Sequence, residues 1–458
     1  MKPVPTPALV PPLDPGFLPA VLFNRQVVAE ARRSGQTTPL VIGVEREGGS
    51  VSRYETEIQP TADPDTLRYA ERIVKFLLWA QGGWRVYVGG PATVGEHLRS
   101  CYSPGGERAF DVDLMGRVYE RPFEVIPVDS KSVPPARTSL APLGGHLDGC
   151  RLGFDLGASD YKVAAVRDGE MVYAEEFPWQ PREQADPEYH YAHLAAGLKK
   201  AAAHLPRVDA IGGSSAGVIV DNKIMVASLF RAVPEDQYAK ARNLFLRVRD
   251  DWKVPLAVAN DGDVTALAGA LSLKVDGLLG IAMGSSQAAG YLDANGCMTG
   301  ALSELAFAPV DLNPSAAADE WSGDRGVGVM YFSQQAVNRL LPAAGIELPR
   351  EMPLPERLEE VQRLMAAGDP RPVGIYQSIG VYLGYSIPYY ADFYEYGHAL
   401  VLGRVTTGPG GDVLLEHARR VLNQEFPDVA KKVQLHVPDE KSRRIGQAVA
   451  AASLPQLG

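Results

Sequence analysis

Apolar positions recur at helical spacing over 21–34 and again over about 63–81, where Ala70, Ile73, Val74, Leu77 and Leu78 fall on one stripe. Between these helices the run Pro39-Leu-Val-Ile-Gly-Val, the turn Glu47-Gly-Gly-Ser and the segment Val51 to Ile58 predict a β-hairpin. A strand from Trp84 to Val88 closes on Gly89-Gly90-Pro91, and the Pro/Gly-rich stretch from Val133 to Gly145 reads as a linker. Ahead of all this, the proline-rich residues before Asp14 read as an extended arm.

From Arg151 the pattern tightens. Leu152-Gly-Phe-Asp-Leu-Gly, Tyr161 to Val166 and Met171 to Phe177 predict three strands joined by a Gly-containing turn and by Asp168-Gly169. A helix over 187–204, the strand Ala210-Ile-Gly, a helix over 234–251 and the strand Pro255-Leu-Ala-Val-Ala follow. The order then repeats: a helix over 264–273, the strand Gly277-Leu-Leu-Gly-Ile-Ala-Met, helices at about 326–341, 355–367 and 373–394, a strand from His398 to Leu402, and a helix from about Gly411. Two hairpin-led α/β halves in series predict two lobes. The division expected is an accessory N-terminal α/β domain with its linker over 1–150, a first lobe over 151–265 and a second over 266–458.

Composition adds boundaries rather than detail. With 46% apolar and 22% charged residues, the chain is of ordinary globular make-up. A formal charge of −10 argues against nucleic acid or an anionic membrane as the main partner, and no stretch approaches the ~20 apolar residues of a membrane span. Three cysteines (Cys101, Cys150, Cys297) are too few for a disulfide framework and fit a reducing cytoplasm, as buried thiols.

Four constellations carry chemistry. Asp155-Leu-Gly157-Ala-Ser159-Asp160-Tyr-Lys162 places a carboxylate at a strand end before a Gly-containing turn, a geometry that holds hydrated Mg²⁺ and faces phosphate with N–H groups, or is simply a hairpin. Asn260-Asp261 stands where a strand meets a helix; Asp261 or Asp263 is read there as an N-cap, and Asp261 also as the acceptor of a proton from a substrate hydroxyl. Gly284-Ser285-Ser286 is a bend of small residues suited to an anion. Gly403 to Asp412, with Thr407, Gly408 and Gly410, is a Gly-rich turn opening a helix, where backbone approaches a nucleotide. An ordinary hairpin is the plain alternative for the third.

In order and spacing these motifs resemble the ROK (repressor, open reading frame, kinase) family of sugar kinases, within the actin/hexokinase superfamily. Asp155-Leu-Gly-Ala-Ser-Asp resembles its phosphate-1 turn, Ile211-Gly-Gly-Ser-Ser-Ala-Gly217 its Gly-x-Gly-x-Pro-Gly element, and Asn260-Asp261-Gly-Asp its Asn-Asp-Ala-Asn motif. Gly284-Ser-Ser resembles the phosphate-2 turn, and Ser303-Glu304-Leu-Ala the segment whose glutamate contacts sugar hydroxyls. The resemblance implies a two-lobed, ribonuclease H-like α/β fold with the N-terminal domain added. It implies ATP and Mg²⁺ as cofactors and Asp261 as catalytic base. Asp155, as metal ligand, would act with Gly157, Ser159, Gly284, Ser285, Ser286, Gly403, Thr407, Gly408 and Gly410 around the nucleotide; Asn260, Glu304 and Ser228 would lie at the sugar.

The departures are equally specific. Phe307 stands where the family has a histidine, and Glu320 to Val327 keeps two glycines but none of the cysteines that with it hold a structural zinc, so no zinc is expected. Ser228 replaces an asparagine, Ser159 the turn threonine, and Asp160 the lysine after it. The altered sugar contacts keep open an alternative: a sugar-binding or sugar-responsive regulatory protein without turnover. Small-molecule sugar and nucleotide are the implied partners. Core packing or the interface of a homo-oligomer such as a dimer accounts for the aromatic run Tyr376 to Tyr396. His190, His193 and His204 read as surface or core residues. Asp111 and Asp113 alternate with Phe110 and Val112 and read as one face of a strand.

Overall fold

A computed structural model describes residues 6–138, 143–437 and 442–457. By contacts the chain falls into two compact units. The first comprises Met1–Leu140, Ile281–Ala289 and Ala301–His436; the second comprises Ala141–Gly280, Gly290–Gly300 and Val437–Gly458.

In the first unit, strands β1 (Thr38–Glu45), β2 (Val51–Ile58), β3 (Arg85–Gly89) and β4 (Glu124–Val128) form one sheet in the order β2-β1-β3-β4. The unbroken apolar run Leu40 to Val44 suits the central β1, which is buried along that run, whereas β2 alternates polar residues and stays half-open. The pairing β1–β2 is the expected hairpin, with Ile42 opposite Tyr54; β3 and β4 run parallel. The helix Pro64–Gln81 starts with Asp63 accepting from the Thr66 N–H (2.8 Å) and Pro64 in its first turn, and stops at Gly82 in a positive-φ conformation. Nearly its whole circumference is buried, Glu71, Arg72 and Lys75 included.

Asp111 and Asp113 do not lie on a strand. They belong to the helix Ala109–Tyr119, with Asp111 buried beside Leu114, Met115 and Val118 and Asp113 exposed, paired to Arg117 at 2.8 Å. A four-residue alternation is too short to set a period, and the buried positions 111, 114, 115 and 118 carry the helical one. The N-terminal arm, expected to be extended, instead turns twice within its described residues 6–19, the Asp14 N–H donating to the Pro11 carbonyl (3.2 Å) and the Phe17 N–H to the Asp14 carbonyl (3.1 Å), and it is pinned where the Asp14 carboxylate accepts from Arg339 (2.8 Å) and Tyr382 (2.7 Å).

The second unit is built on a five-stranded sheet. It holds β5 (Cys150–Leu156), β6 (Asp160–Arg167), β7 (Glu170–Pro178), β8 (Ala210–Ser215) and, beyond the small hairpin β9 (Val218–Val220) and β10 (Lys223–Val226), β11 (Leu256–Asn260). Their order is β11-β8-β5-β6-β7: the hairpin strands β5–β7 are antiparallel, and β8 and β11 run parallel to β5. A helix unannounced by the sequence reading, Ser442–Ala452, lies directly on this sheet. It fits because Gly153 and Gly212 face each other across β5 and β8; a Cβ on them would lie 1.9 Å from the Ala448 carbonyl oxygen and 1.7 Å from that of Ala451. The buried Arg151 fastens the end of that segment, donating to the Pro455 carbonyl at 2.7 Å.

The remaining strands, β12 (Leu278–Met283), β13 (Gln287–Leu292), β14 (His398–Leu402) and β15 (Gln434–His436), form a sheet in the order β13-β12-β14-β15. Two expected helices are broken. The one over 234–251 divides at Asn243 into Tyr238–Arg242 and Leu244–Trp252, and the one at 326–341 is only Gln334–Leu340, because the extended Ser333 caps it. Cys101 and Cys150 are buried, whereas Cys297 is half-buried.

Candidate functional site

The carboxyl edge of the second unit's sheet gathers the most informative residues. β5 is an unbroken buried strand, and Asp155 sits near its end, where Ser214 of β8 is its register partner. The Ser214 hydroxyl donates to Asp155 Oδ1 at 2.7 Å. Gln447, on the C-terminal helix, donates from Nε2 to Ser214 Oγ at 3.2 Å and to the Asp261 carbonyl at 3.4 Å. Asn260 ends β11 and caps the helix Asp261–Leu273: its Oδ1 accepts from the Gly262 N–H at 2.7 Å, while its Nδ2 donates to the Gly217 carbonyl at 2.8 Å. The cap is therefore Asn260, not Asp261 or Asp263. Asp263 instead accepts from the Tyr291 N–H at 3.3 Å. Asp261 is half-buried in the first helical turn, and its Oδ1 shares the Gly262 N–H at 3.0 Å.

Both carboxylates are electrostatically strained. Burial pushes Asp155 up to about 6, with the charges of Asp261 and Asp160 adding to it and the Ser214 hydrogen bond and Lys162 opposing it. Burial also raises Asp261, against the pull of the Gly262 N–H. Lys162 closes the constellation that begins at Asp155. It stands directly opposite Asp155 in the β5–β6 pairing and holds Asp160 Oδ1 at 3.1 Å. Side chains two apart share a strand face, so Lys162 sets a positive charge beside the Asp160 carboxylate on β6.

The other expected residues of this unit are placed differently. The Gly157 N–H is committed to the Asp160 carbonyl at 2.9 Å inside the hairpin, and the Gly157 carbonyl accepts from the Trp179 indole at 2.9 Å. Ser159 is exposed and donates to Asp160 Oδ2 at 3.0 Å. Ser228 is exposed in the short 3₁₀ turn Ser228–Phe230.

In the first unit, Gly284, Ser285 and Ser286 form the β12–β13 turn. The Gly284 carbonyl accepts from the Gln334 N–H at 2.9 Å, and both serines are exposed. Glu304 lies in a segment that hydrogen-bonds to the end of the helix Pro64–Gln81, its own N–H reaching the Trp79 carbonyl at 2.9 Å. Phe307, at the histidine position, packs on Trp79 (ring centroids 4.5 Å apart) and on Trp321 (5.0 Å). Gly403 presses on the Met283 backbone and Gly410 on the Tyr376 ring, while Gly408 opens on free space. Thr407 donates to the Arg404 carbonyl (2.8 Å) and accepts from Gln362 (2.9 Å).

Among the described residues there is no group of three or more His, Cys, Asp or Glu side chains that could hold a metal ion. The Glu320–Val327 segment is tied down by charge instead. Buried Asp324 accepts from Arg108 at 2.8 Å and Arg72 at 3.3 Å, and lies 3.2 Å from the Lys75 ammonium. Although burial opposes it, Arg72 and Lys75 hold the Asp324 carboxyl below its ordinary value.

The sequence matches no protein-family model and no curated protein. Its structure is similar to the ROK hexokinase of Thermus thermophilus (TM-score 0.52, 18% identity, 66% of this chain and 97% of that one). It is also similar to a ROK family transcriptional regulator, a homologue of the E. coli MLC protein (TM-score 0.51, 18% identity, 84% of this chain and 95% of that one). The chain has the α/β fold of the ROK proteins. No helix among the described residues is long and apolar enough to cross a membrane.

Proposed function

We propose that the protein is an ATP-dependent sugar kinase that uses Asp261 as general base. What carries this reading is the pairing of Asp155 and Asp261 at one sheet edge, linked through Ser214 and Gln447. Ligands of open α/β sheets bind outside the carboxyl ends of the strands. The local charge also fits a divalent cation: Asp155 is destabilised as an anion partly by Asp261 and Asp160, and Lys162 is the nearby offset. Asp155 would hold Mg²⁺. When bound, Mg²⁺–ATP supplies the phosphoryl group and neutralises charge on its oxygens.

In this reading 151–265 supplies the phosphate-1 turn, with Gly157 and Ser159, and the base, while 266–458 supplies Gly284, Ser285 and Ser286 for phosphate and Gly403, Thr407, Gly408 and Gly410 for the nucleoside. Asn260, Glu304 and Ser228 orient the sugar. The sugar hydroxyl oxygen bonds to the γ-phosphorus as the bond to the ADP oxygen breaks, and the hydroxyl proton passes to the Asp261 carboxylate. A raised Asp261 pKa brings that base closer to neutral pH, where proton acceptance is most effective. The 1–150 region is an accessory domain; cytoplasmic residence and a dimer complete the proposal. ADP release coupled to a panel of sugars tests it: Asp261→Asn is expected to lower kcat by about 10²–10⁴ with nucleotide binding nearly intact, and unchanged turnover removes Asp261 from the chemistry.

A second reading, a sugar-binding regulator without turnover, is favoured by Phe307, which packs against Trp79 at a tilt where a histidine is expected. Saturable sugar binding with no ADP release from any sugar in the panel would select it.

A further inference from the structure

Apart from the residues above, the first unit contains a cavity of about 720 Å³ between the helices Pro64–Gln81 and Ala109–Tyr119 and the segments 311–314 and 322–325. That is the size of a small-molecule site. Its floor is a closed ion-pair network in which Arg72, Lys75 and Arg108 meet Glu71, Asp111 and Asp324, all six buried. The carboxylates elsewhere in the wall are also engaged. Asp311 accepts from the Leu18 N–H (2.9 Å), the Asn313 N–H (2.8 Å) and the Tyr331 hydroxyl (2.6 Å), and Glu107 pairs with Arg108 at 2.9 Å.

Two cations in the same wall have no such partner. Among the described residues neither Arg68 nor Arg325 forms an ion pair. Arg68 donates to the Leu312 carbonyl and lies over the Phe23 ring, 5.3 Å from its centroid, and Arg325 donates to the Ala316 carbonyl at 2.9 Å. A guanidinium has five N–H donors, so most of the hydrogen-bonding capacity of both is uncommitted. Burial and the neighbouring charge of Arg72 hold Arg68 below its ordinary pKa even though Asp65, Glu71 and Asp311 oppose them, so its charge is only partly balanced by the carboxylates around it. Planar donor forks match phosphate, and one phosphate dianion balances two guanidinium charges where a monocarboxylate balances one.

We propose that this cavity binds a small phosphorylated, hydroxyl-bearing metabolite, its phosphate held by Arg68 and Arg325 and its hydroxyls lying over the carboxylates of the ion-pair floor. The site is separate from Asp155 and Asp261 and does not depend on the kinase reading.

Isothermal titration of the full chain with glucose 6-phosphate, inorganic phosphate and glucose at constant ionic strength tests this, on the wild type, Arg68→Gln, Arg325→Gln and Asp261→Asn. The expected result is saturable binding of glucose 6-phosphate that weakens at least about tenfold in each arginine variant and persists in Asp261→Asn. Arg325 is exposed, so Arg325→Gln keeps the test decisive if Arg68→Gln fails to fold. Absence of saturable binding by either phosphate probe, or equal affinity in the wild type and Arg325→Gln, overturns the proposal and leaves the network as a structural clamp.

Discussion

Asp155→Asn should make the metal-free protein more stable above pH 6 and leave it unchanged near pH 4. The folded state holds the Asp155 proton to about 6, against an ordinary value of 3.8, so between these limits the native protein binds more protons than the unfolded chain. Stability therefore falls as pH rises through that interval and levels off above it. The difference is about 2 units, and at 1.36 kcal/mol each the charged carboxylate costs about 3 kcal/mol at pH 8. Because Asp155 is buried, little of this is lost to solvent screening. Asparagine keeps an oxygen for the Ser214 hydroxyl and removes the charge. Urea unfolding of both proteins at pH 4 and pH 8, with chelator present, is the assay. A gain of up to about 3 kcal/mol at pH 8 that vanishes at pH 4 is expected. A difference independent of pH, or a less stable variant at pH 8, would refute the assignment of Asp155 as a carboxylate destabilised by burial.

Gly212→Ala should lower the unfolding free energy from urea titration by at least about 2 kcal/mol, since its Cβ would sit 1.7 Å from the Ala451 carbonyl and force the C-terminal helix off the sheet; an unchanged unfolding free energy would mean the helix is not seated there. Asp324→Asn should destabilise by about 3–5 kcal/mol, because three buried cations would be left with two carboxylates. An equilibrium melt in which this variant matches the wild type would dismiss the network as a clamp.

Much of the fold was legible in the sequence because its signals are local. The β1–β2 and β5–β7 hairpins are marked by turn residues between apolar runs, and the helix Pro64–Gln81 by its stripe, its Asp63 cap and its Gly82 stop. What the pattern hid depends on contacts distant in sequence. The Asp111 helix begins with a misleading alternation. The helix Ser442–Ala452 left only an indirect trace, the glycines within β5 and β8, whose purpose appears when Ala448 and Ala451 are set against them. The site divides in the same way: Asp155, Lys162, Ser214, Asn260 and Asp261 all lie within motifs, but it is sheet register that sets Lys162 and Ser214 beside Asp155, and Gln447 joins them from a helix at the far end of the chain. The burial of Arg72 and Lys75 on Pro64–Gln81 has no local signal, because their partner Asp324 lies far along the sequence.

Those long-range contacts bear on chemistry as well as stability. The Ser214 hydroxyl has one proton, and because Gln447 donates to its oxygen, that proton is directed to Asp155 Oδ1. In the proposed kinase reading, Oδ2 would be the oxygen of Asp155 that meets the cation. The same Gln447 amide reaches the Asp261 carbonyl, so one side chain links the backbone bearing the second carboxylate to the hydroxyl that orients the first. How far Gln447 reaches is set by the height of its helix above the sheet, and that height is set by the missing side chains at Gly153 and Gly212. A methyl group at either glycine would meet a carbonyl of that helix and is expected to weaken both Gln447 hydrogen bonds. Two small residues in the middle of a sheet thus bear on the hydroxyl that holds the Asp155 carboxylate at its edge.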